Sequence, residues 1–101
     1  MSINVEIKPV PNQNFIFLYK GDVWELTFRH CTNVMAASIV VNGETLCLNQ
    51  RIVADSLILP YVRFWKKGNF YLKTRDSQLP KWNLFGTEQL LYFIEPEELN
   101  G

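Results

Sequence analysis

The stretch FIFLYKGDVWELTFRH, residues 15–30, decides the fold class. Side chains alternate across an extended chain, so Phe15, Phe17 and Tyr19 share one face while Ile16 and Leu18 share the other. Lys20, Gly21 and Asp22 turn the chain, after which Trp24, Leu26, Phe28 and His30 alternate with Glu25, Thr27 and Arg29. The second strand thus has a wet face. The first carries apolar groups on both faces, which predicts either a central place in a closed barrel or sandwich, or contact between one face and a neighbouring subunit.

On the N-terminal side, Ile3, Val5 and Ile7 alternate with Asn4, Glu6 and Lys8, which predicts a short strand over residues 3–8 that Pro9 and Pro11 stop. Residues 11–14, Pro-Asn-Gln-Asn, make a turn, since proline fixes φ and asparagine bonds its own backbone. On the C-terminal side, Cys31 to Met35 carries no usable period and is expected to link strands. Ala37, Ile39 and Val41 then alternate with Ser38 and Val40, and Leu46 and Leu48 with Cys47 and Asn49. Between them Asn42-Gly43 is a strong hairpin signal, because a type I′ turn needs positive φ at both central residues. The reading is a hairpin over residues 37–49.

Residues 50–63 read as a loop and an irregular apolar segment, with Pro60 excluding a central strand there. Lys66-Lys67-Gly68-Asn69 reads as a turn, followed by a strand in which Phe70, Leu72 and Thr74 alternate with Tyr71, Lys73 and Arg75. Residues 76–87 form a long connection whose Leu79, Trp82, Leu84 and Phe85 are too apolar to leave the body of the protein. Residues 88–95 close the fold, with Leu90, Tyr92 and Ile94 opposite Leu91 and Phe93. From about residue 96 a polar tail is expected to fray. No stretch carries a helical period with caps, and turn signals recur about every 8–12 residues. The expected fold is therefore all-β, a small antiparallel sandwich or barrel of about seven strands in a single domain over residues 1–101.

The 101 residues can bury roughly 60–70% of the surface their unfolded form exposes. Ten basic and ten acidic side chains cancel, so no global field attracts nucleic acid or an anionic membrane. Aromatic residues make up 14%, which suits a β core or a protein-binding surface. No apolar run has the length of a signal peptide or a membrane span, so the expectation is a reducing compartment in which Cys31 and Cys47 are free thiols filling buried positions.

Chemistry is hard to find. His30 is the only histidine and has no partner in sequence. Two separated cysteines lack zinc-ligand spacing, and neither a glycine-rich phosphate loop nor a Gly-x-Ser-x-Gly elbow occurs. Adjacent carboxylates occur at Glu97 and Glu98, where a frayed tail cannot hold them as an acid and base pair. No catalytic residue, metal site or cofactor is therefore assigned, and the chain is not read as an enzyme.

The segment RFWKKGNFYLKTR, residues 63–75, is basic and aromatic, and Arg63, Lys66, Lys67, Lys73, Arg75 and Lys81 stand against Asp76 alone between residues 61 and 82. Rings interleaved with cations can stack bases and track phosphates, which keeps a single-strand-binding barrel of the OB type as the alternative. The neutral chain makes a protein-facing patch the preferred reading, with Arg63, Phe64, Trp65, Lys66, Lys67 and Arg75 as its candidate residues.

Asn12-Gln13-Asn14-Phe15, the strands about Gly21, the Trp24, Leu26 and Phe28 series, Leu57 to Tyr61, and Leu84-Phe85-Gly86-Thr87 before Leu91-Tyr92-Phe93 together give a resemblance. Over residues 5–95 the chain resembles the small β-rich plug proteins of contractile-tailed bacteriophage baseplates. It departs from their pattern at Arg29-His30, Asn49, Arg51 and Asp55. The resemblance implies a virion structural protein at the centre of the tail baseplate, assembled in the host cytoplasm. It also implies contacts with hub and spike proteins, several copies in the virion, no membrane and no catalysis. A host-directed phage interaction protein is a further, lesser reading.

Overall fold

The computed structural model describes residues 2–100, apart from the side chain of Asn100. Among these residues seven strands form two antiparallel sheets: β1 (Ser2–Val5), β2 (Gln13–Tyr19), β3 (Asp22–Cys31), β4 (Val34–Val41), β5 (Glu44–Arg51), β6 (Asn69–Lys73) and β7 (Leu90–Ile94). One sheet has the order β2-β3-β4-β5 and the other β1-β7-β6. Their inner faces meet as a sandwich rather than a barrel.

The four-stranded sheet is a meander built by two-residue turns. Lys20-Gly21 and Asn42-Gly43 both have two positive φ values, 45° and 86° in the first, 51° and 84° in the second. That is the twist-matched type I′ geometry. The two turns lie side by side, because Val23 N–H donates to Asn42 Oδ1 at 2.8 Å and Asn42 Nδ2 donates to Asp22 Oδ1 at 2.9 Å. Contrary to the expected linker over residues 31–35, β3 and β4 turn at Thr32-Asn33, and Met35 faces His30 in register. The hydrophobic period begins earlier than the sequence suggests because Met35 is itself buried.

Trp24, Leu26 and Phe28 of β3 are fully buried, and β4 adds Met35, Ala37, Ile39 and Val41. The second sheet answers with Phe70, Leu72, Leu91 and Phe93. Phe93 is the joint between them: its ring centroid lies 5.0 Å from Phe17, 4.7 Å from Tyr19, 5.6 Å from Trp24 and 5.1 Å from Phe70. Burying each such ring contributes about 1.5–3 kcal/mol, with a further ~0.5–1.5 kcal/mol for a well-angled pair. The first strand of the opening stretch, β2, is an edge strand. Phe15, Phe17 and Tyr19 face the core, and Ile16 and Leu18 lie 55% and 69% exposed on the outer face.

The long connection lies on the body, as its apolar residues require. Phe85 is fully buried with its ring 6.0 Å from Phe28. The buried Gln89 fastens the loop by accepting from Lys81 N–H at 2.8 Å and donating to the Leu79 carbonyl at 2.9 Å. Leu79 itself stays exposed. Two expectations on either side of β6 and β7 need correction. The segment read as a turn at Lys66-Lys67 is the end of a 3₁₀ helix, Val62–Lys67, and the tail forms a short helix, α1 (Pro96–Asn100), packed against it. A six-residue helix is too short to leave a periodic signature.

The cysteines are unpaired, and only Cys47 is partly covered. Burial raises the Cys47 thiol pKa. Cys31, expected to be buried, is exposed, because it ends β3 beside the Thr32-Asn33 turn, beyond the covered part of the sheet.

Candidate functional site

The basic, aromatic segment is organised from beneath by one amide. Asn69 is fully buried, and its Oδ1 accepts from the N–H groups of Leu59 (2.9 Å) and Phe70 (2.7 Å) while its Nδ2 donates to the Leu59 carbonyl (3.1 Å). Trp65 Nε1 donates to the same carbonyl at 2.9 Å. A buried polar group is tolerated only when bonded in this way. The network fixes the Pro60 approach, the 3₁₀ helix and the start of β6 as one unit, and it turns the indole of Trp65 toward the body.

The expected site residues divide. Arg63, Phe64, Lys66 and Lys67 come together, lining an open cleft of about 340 Å³ with Val41, Glu44 and Leu46 of the β4–β5 hairpin. The Arg63 guanidinium sits 4.9 Å from the Phe64 ring centroid and 5.3 Å from that of Tyr61. Lys67 Nζ lies 3.6 Å from Asp22 Oδ1, an exposed pair contributing about 0–1 kcal/mol. Trp65 is absent from the cleft lining. Arg75 lies beyond the opposite end of β6 and pairs with Glu88 at 3.3 Å. A basic strand thus becomes a mixed-charge cleft at one end and a separate ion pair at the other.

Other surface features lie outside the expected patch. Tyr61 and Val62 are 58% and 65% exposed beside the cleft. Ile16 and Leu18, with Val23 opposite Leu18 on β3, form an apolar strip on the outer face of the larger sheet. The double-sided apolar pattern of residues 15–19 was the signal for this strip, but alternation does not say which strand is an edge.

At the far end of β2 the Tyr19 hydroxyl donates to Glu95 Oε2, joining the two sheets. This bond holds the Glu95 carboxyl below its ordinary value and pushes the Tyr19 phenol above its own. A depressed carboxylate stabilises the fold above its unfolded pKa, and that contribution is lost as pH falls through the folded value. The raised phenol contributes below its unfolded pKa and loses that contribution as pH rises through the folded one. Tyr19→Phe should therefore move the Glu95 titration upward, read by carbon-detected NMR of the side chain. An unchanged Glu95 midpoint would show that the hydroxyl is not its main cause.

Among the described residues, no three His, Cys, Asp or Glu side chains come together to hold a metal ion. His30 is exposed, and its backbone N–H donates to Asn12 Oδ1 at 3.1 Å. Among the described residues, no helix is long and apolar enough to cross a membrane. What the fold presents is surface: an aromatic and basic cleft, and an apolar strip on an open sheet edge.

No curated protein matches the chain. A family model described as cyanophage baseplate Pam3 plug gp18 matches residues 1–97, which includes all seven strands of the sandwich. The chain belongs to this family of phage baseplate plug proteins.

Proposed function

We propose that the protein is a non-catalytic packing element at the centre of the tail baseplate, set against the hub and spike proteins and present in several copies. The observation that carries this reading is the family match over residues 1–97, which spans all seven strands. The ring-filled interior supports it, since a part that packs between other proteins works by holding its shape. The cleft of Arg63, Phe64, Lys66 and Lys67 is the patch assigned to a protein partner, with Trp65 positioning it from below and Arg75 as a separate, outlying contact. Aromatic and arginine groups are the residue types enriched at such contacts.

Nothing comparable favours single-strand binding. Phe64 and Trp65 pack against the core, Arg63 lies over the Phe64 ring, and the chain has no net charge. The placement is tested by gold-labelled antibody on intact virions and purified tails. Label at the baseplate end of the tail is the expected result. Label on the head, or absence of the protein from particles, would overturn the reading.

A further inference from the structure

The two sheets have four edges, and three of them are closed to strand addition. On β6, the outer edge is taken up by the preceding segment: Ile58 N–H donates to the Phe70 carbonyl at 2.8 Å, Asp55 N–H donates to the Leu72 carbonyl at 2.9 Å, and Thr74 N–H donates to Asp55 Oδ1 at 2.9 Å. Strand β1 is four residues long and is soon followed by Pro9 and Pro11. Strand β5 is irregular in register against β4 and carries Glu44 and Arg51 at its ends. Short length, bulges, covering segments and charges are the usual ways of blunting an edge.

Strand β2 has none of these. It runs seven residues in unbroken register against β3 and contains no proline and no charge between Gln13 and Tyr19. Tyr19 and Asp22 close the two-residue turn as a hydrogen-bonded pair, so alternate residues back along β2 bond to β3. Val23 agrees with this phase, since its own N–H and carbonyl bond to Asn42 on the far side. The backbone groups of Asn14, Ile16 and Leu18 therefore point out of the sheet. No hydrogen bond to them occurs among the described residues.

We propose that a second copy of this chain covers that edge, β2 lying antiparallel to β2 about a two-fold axis at Ile16. The inference gives form to the several-copies part of the reading above and rests on it only for its setting. In this register Ile16 faces Ile16 of the second copy and Asn14 faces Leu18 of the second copy. Every outward-pointing residue meets another of the same phase, with two backbone bonds for each facing pair. The two-fold contact sets Ile16 against its own copy and Asn14 against Leu18, with no like charges brought together, so a strand without charges is self-compatible where a charged one is not. Ile16 and Leu18 lose water from exposed apolar surface in the same step. A seven-residue edge spans about 24 Å. Contact along this single edge makes a narrow interface, so the dimer is weak and concentration-dependent in isolation.

Sedimentation velocity on the purified chain over about 1 µM to 1 mM tests this, together with amide hydrogen exchange at both ends of that range. The expected result is monomer at the low end and dimer at the high end, with added protection confined to Asn14, Ile16 and Leu18. Ile16→Lys, at an exposed site that leaves the fold intact, sets two like charges face to face and should weaken the dimer at least about tenfold. Thr45→Lys on the exposed β5 edge should not. A monomer at every concentration, a dimer that survives Ile16→Lys, or equal loss with Thr45→Lys would overturn the proposal. Each of these outcomes leaves the antibody result on particles unaffected, so failure of the pairing and failure of the baseplate reading are separable.

Discussion

Alanine in place of Phe93 lowers the unfolding free energy by about 3–5 kcal/mol, the range for removing a fully buried ring. The reason lies in what the ring touches. Phe93 sits in the central strand of the smaller sheet and meets Phe17 and Tyr19 from β2, Trp24 from β3 and Phe70 from β6. Its removal loses both the transfer energy of the ring and the contacts of four others around a cavity they cannot fill without leaving their rotamers. A domain of this size has only about 5–15 kcal/mol in total, so the variant stands near the limit of folding. Urea unfolding followed by tryptophan fluorescence reads the loss as a midpoint shift, with about 1–3 kcal/mol per molar for the slope. A loss below about 1.5 kcal/mol would show that the sheets are held together elsewhere.

Gly68→Ala is expected to cost nearly as much, about 2–5 kcal/mol, although it adds a single methyl group. Gly68 has φ 125° and ψ −176°, a region of backbone space essentially reserved for glycine. A Cβ built there would lie 2.4 Å from Cζ and 2.5 Å from Cε1 of Phe93, and 3.0 Å from the Ile94 carbonyl oxygen. The backbone strain and the steric clash are separable. In Gly68→Ala combined with Phe93→Leu, the shorter side chain should relieve the clash, and the double mutant should be more stable than the sum of the two losses by about 0.5–3 kcal/mol. Strict additivity would locate the whole cost in the backbone. The neighbouring Asn69 explains why this position cannot simply move away: its three hydrogen bonds lock the chain on the other side of Gly68.

These two effects bear on the proposed partner patch because the 3₁₀ helix that carries Arg63, Phe64, Lys66 and Lys67 ends at Gly68. The 3₁₀ helix carrying it is held at Leu59 by Trp65 and at Asn69 by the buried amide. Loosening Gly68 therefore loosens the surface proposed for a partner. Edge strand β2 is coupled to the same core by Phe17 and Tyr19 on Phe93, so the two surfaces share one rigid support.

Much of the β architecture is written locally. Trp24, Leu26 and Phe28 alternate with polar residues because one face of β3 is dry, and that period of two is visible without coordinates. The turns at Gly21 and Asn42-Gly43 are equally local, since positive φ narrows the residues that can occupy them. Less visible were features that depend on a single distant partner. Met35 is buried at a point where its neighbours show no period, and the 3₁₀ helix over Val62–Lys67 is too short to display one. Of the candidate patch residues, Arg63, Phe64, Lys66 and Lys67 converge, whereas Trp65 turns to the Leu59 carbonyl and Arg75 is carried away by the length of β6.

Most of the strands, the tight turns and the inward series of β3 are fixed locally, because they follow from alternation and from backbone preferences acting over a few residues. Tertiary structure alone decided that β1 pairs with β7 and that β2 lies at an edge. Those outcomes depend on contacts between residues far apart in the chain, where closing the loop between them carries no local sequence mark. The apolar outer face of Ile16 and Leu18 illustrates the division. Its composition is readable in a line of text, and its exposure exists only once the other strands have taken their places.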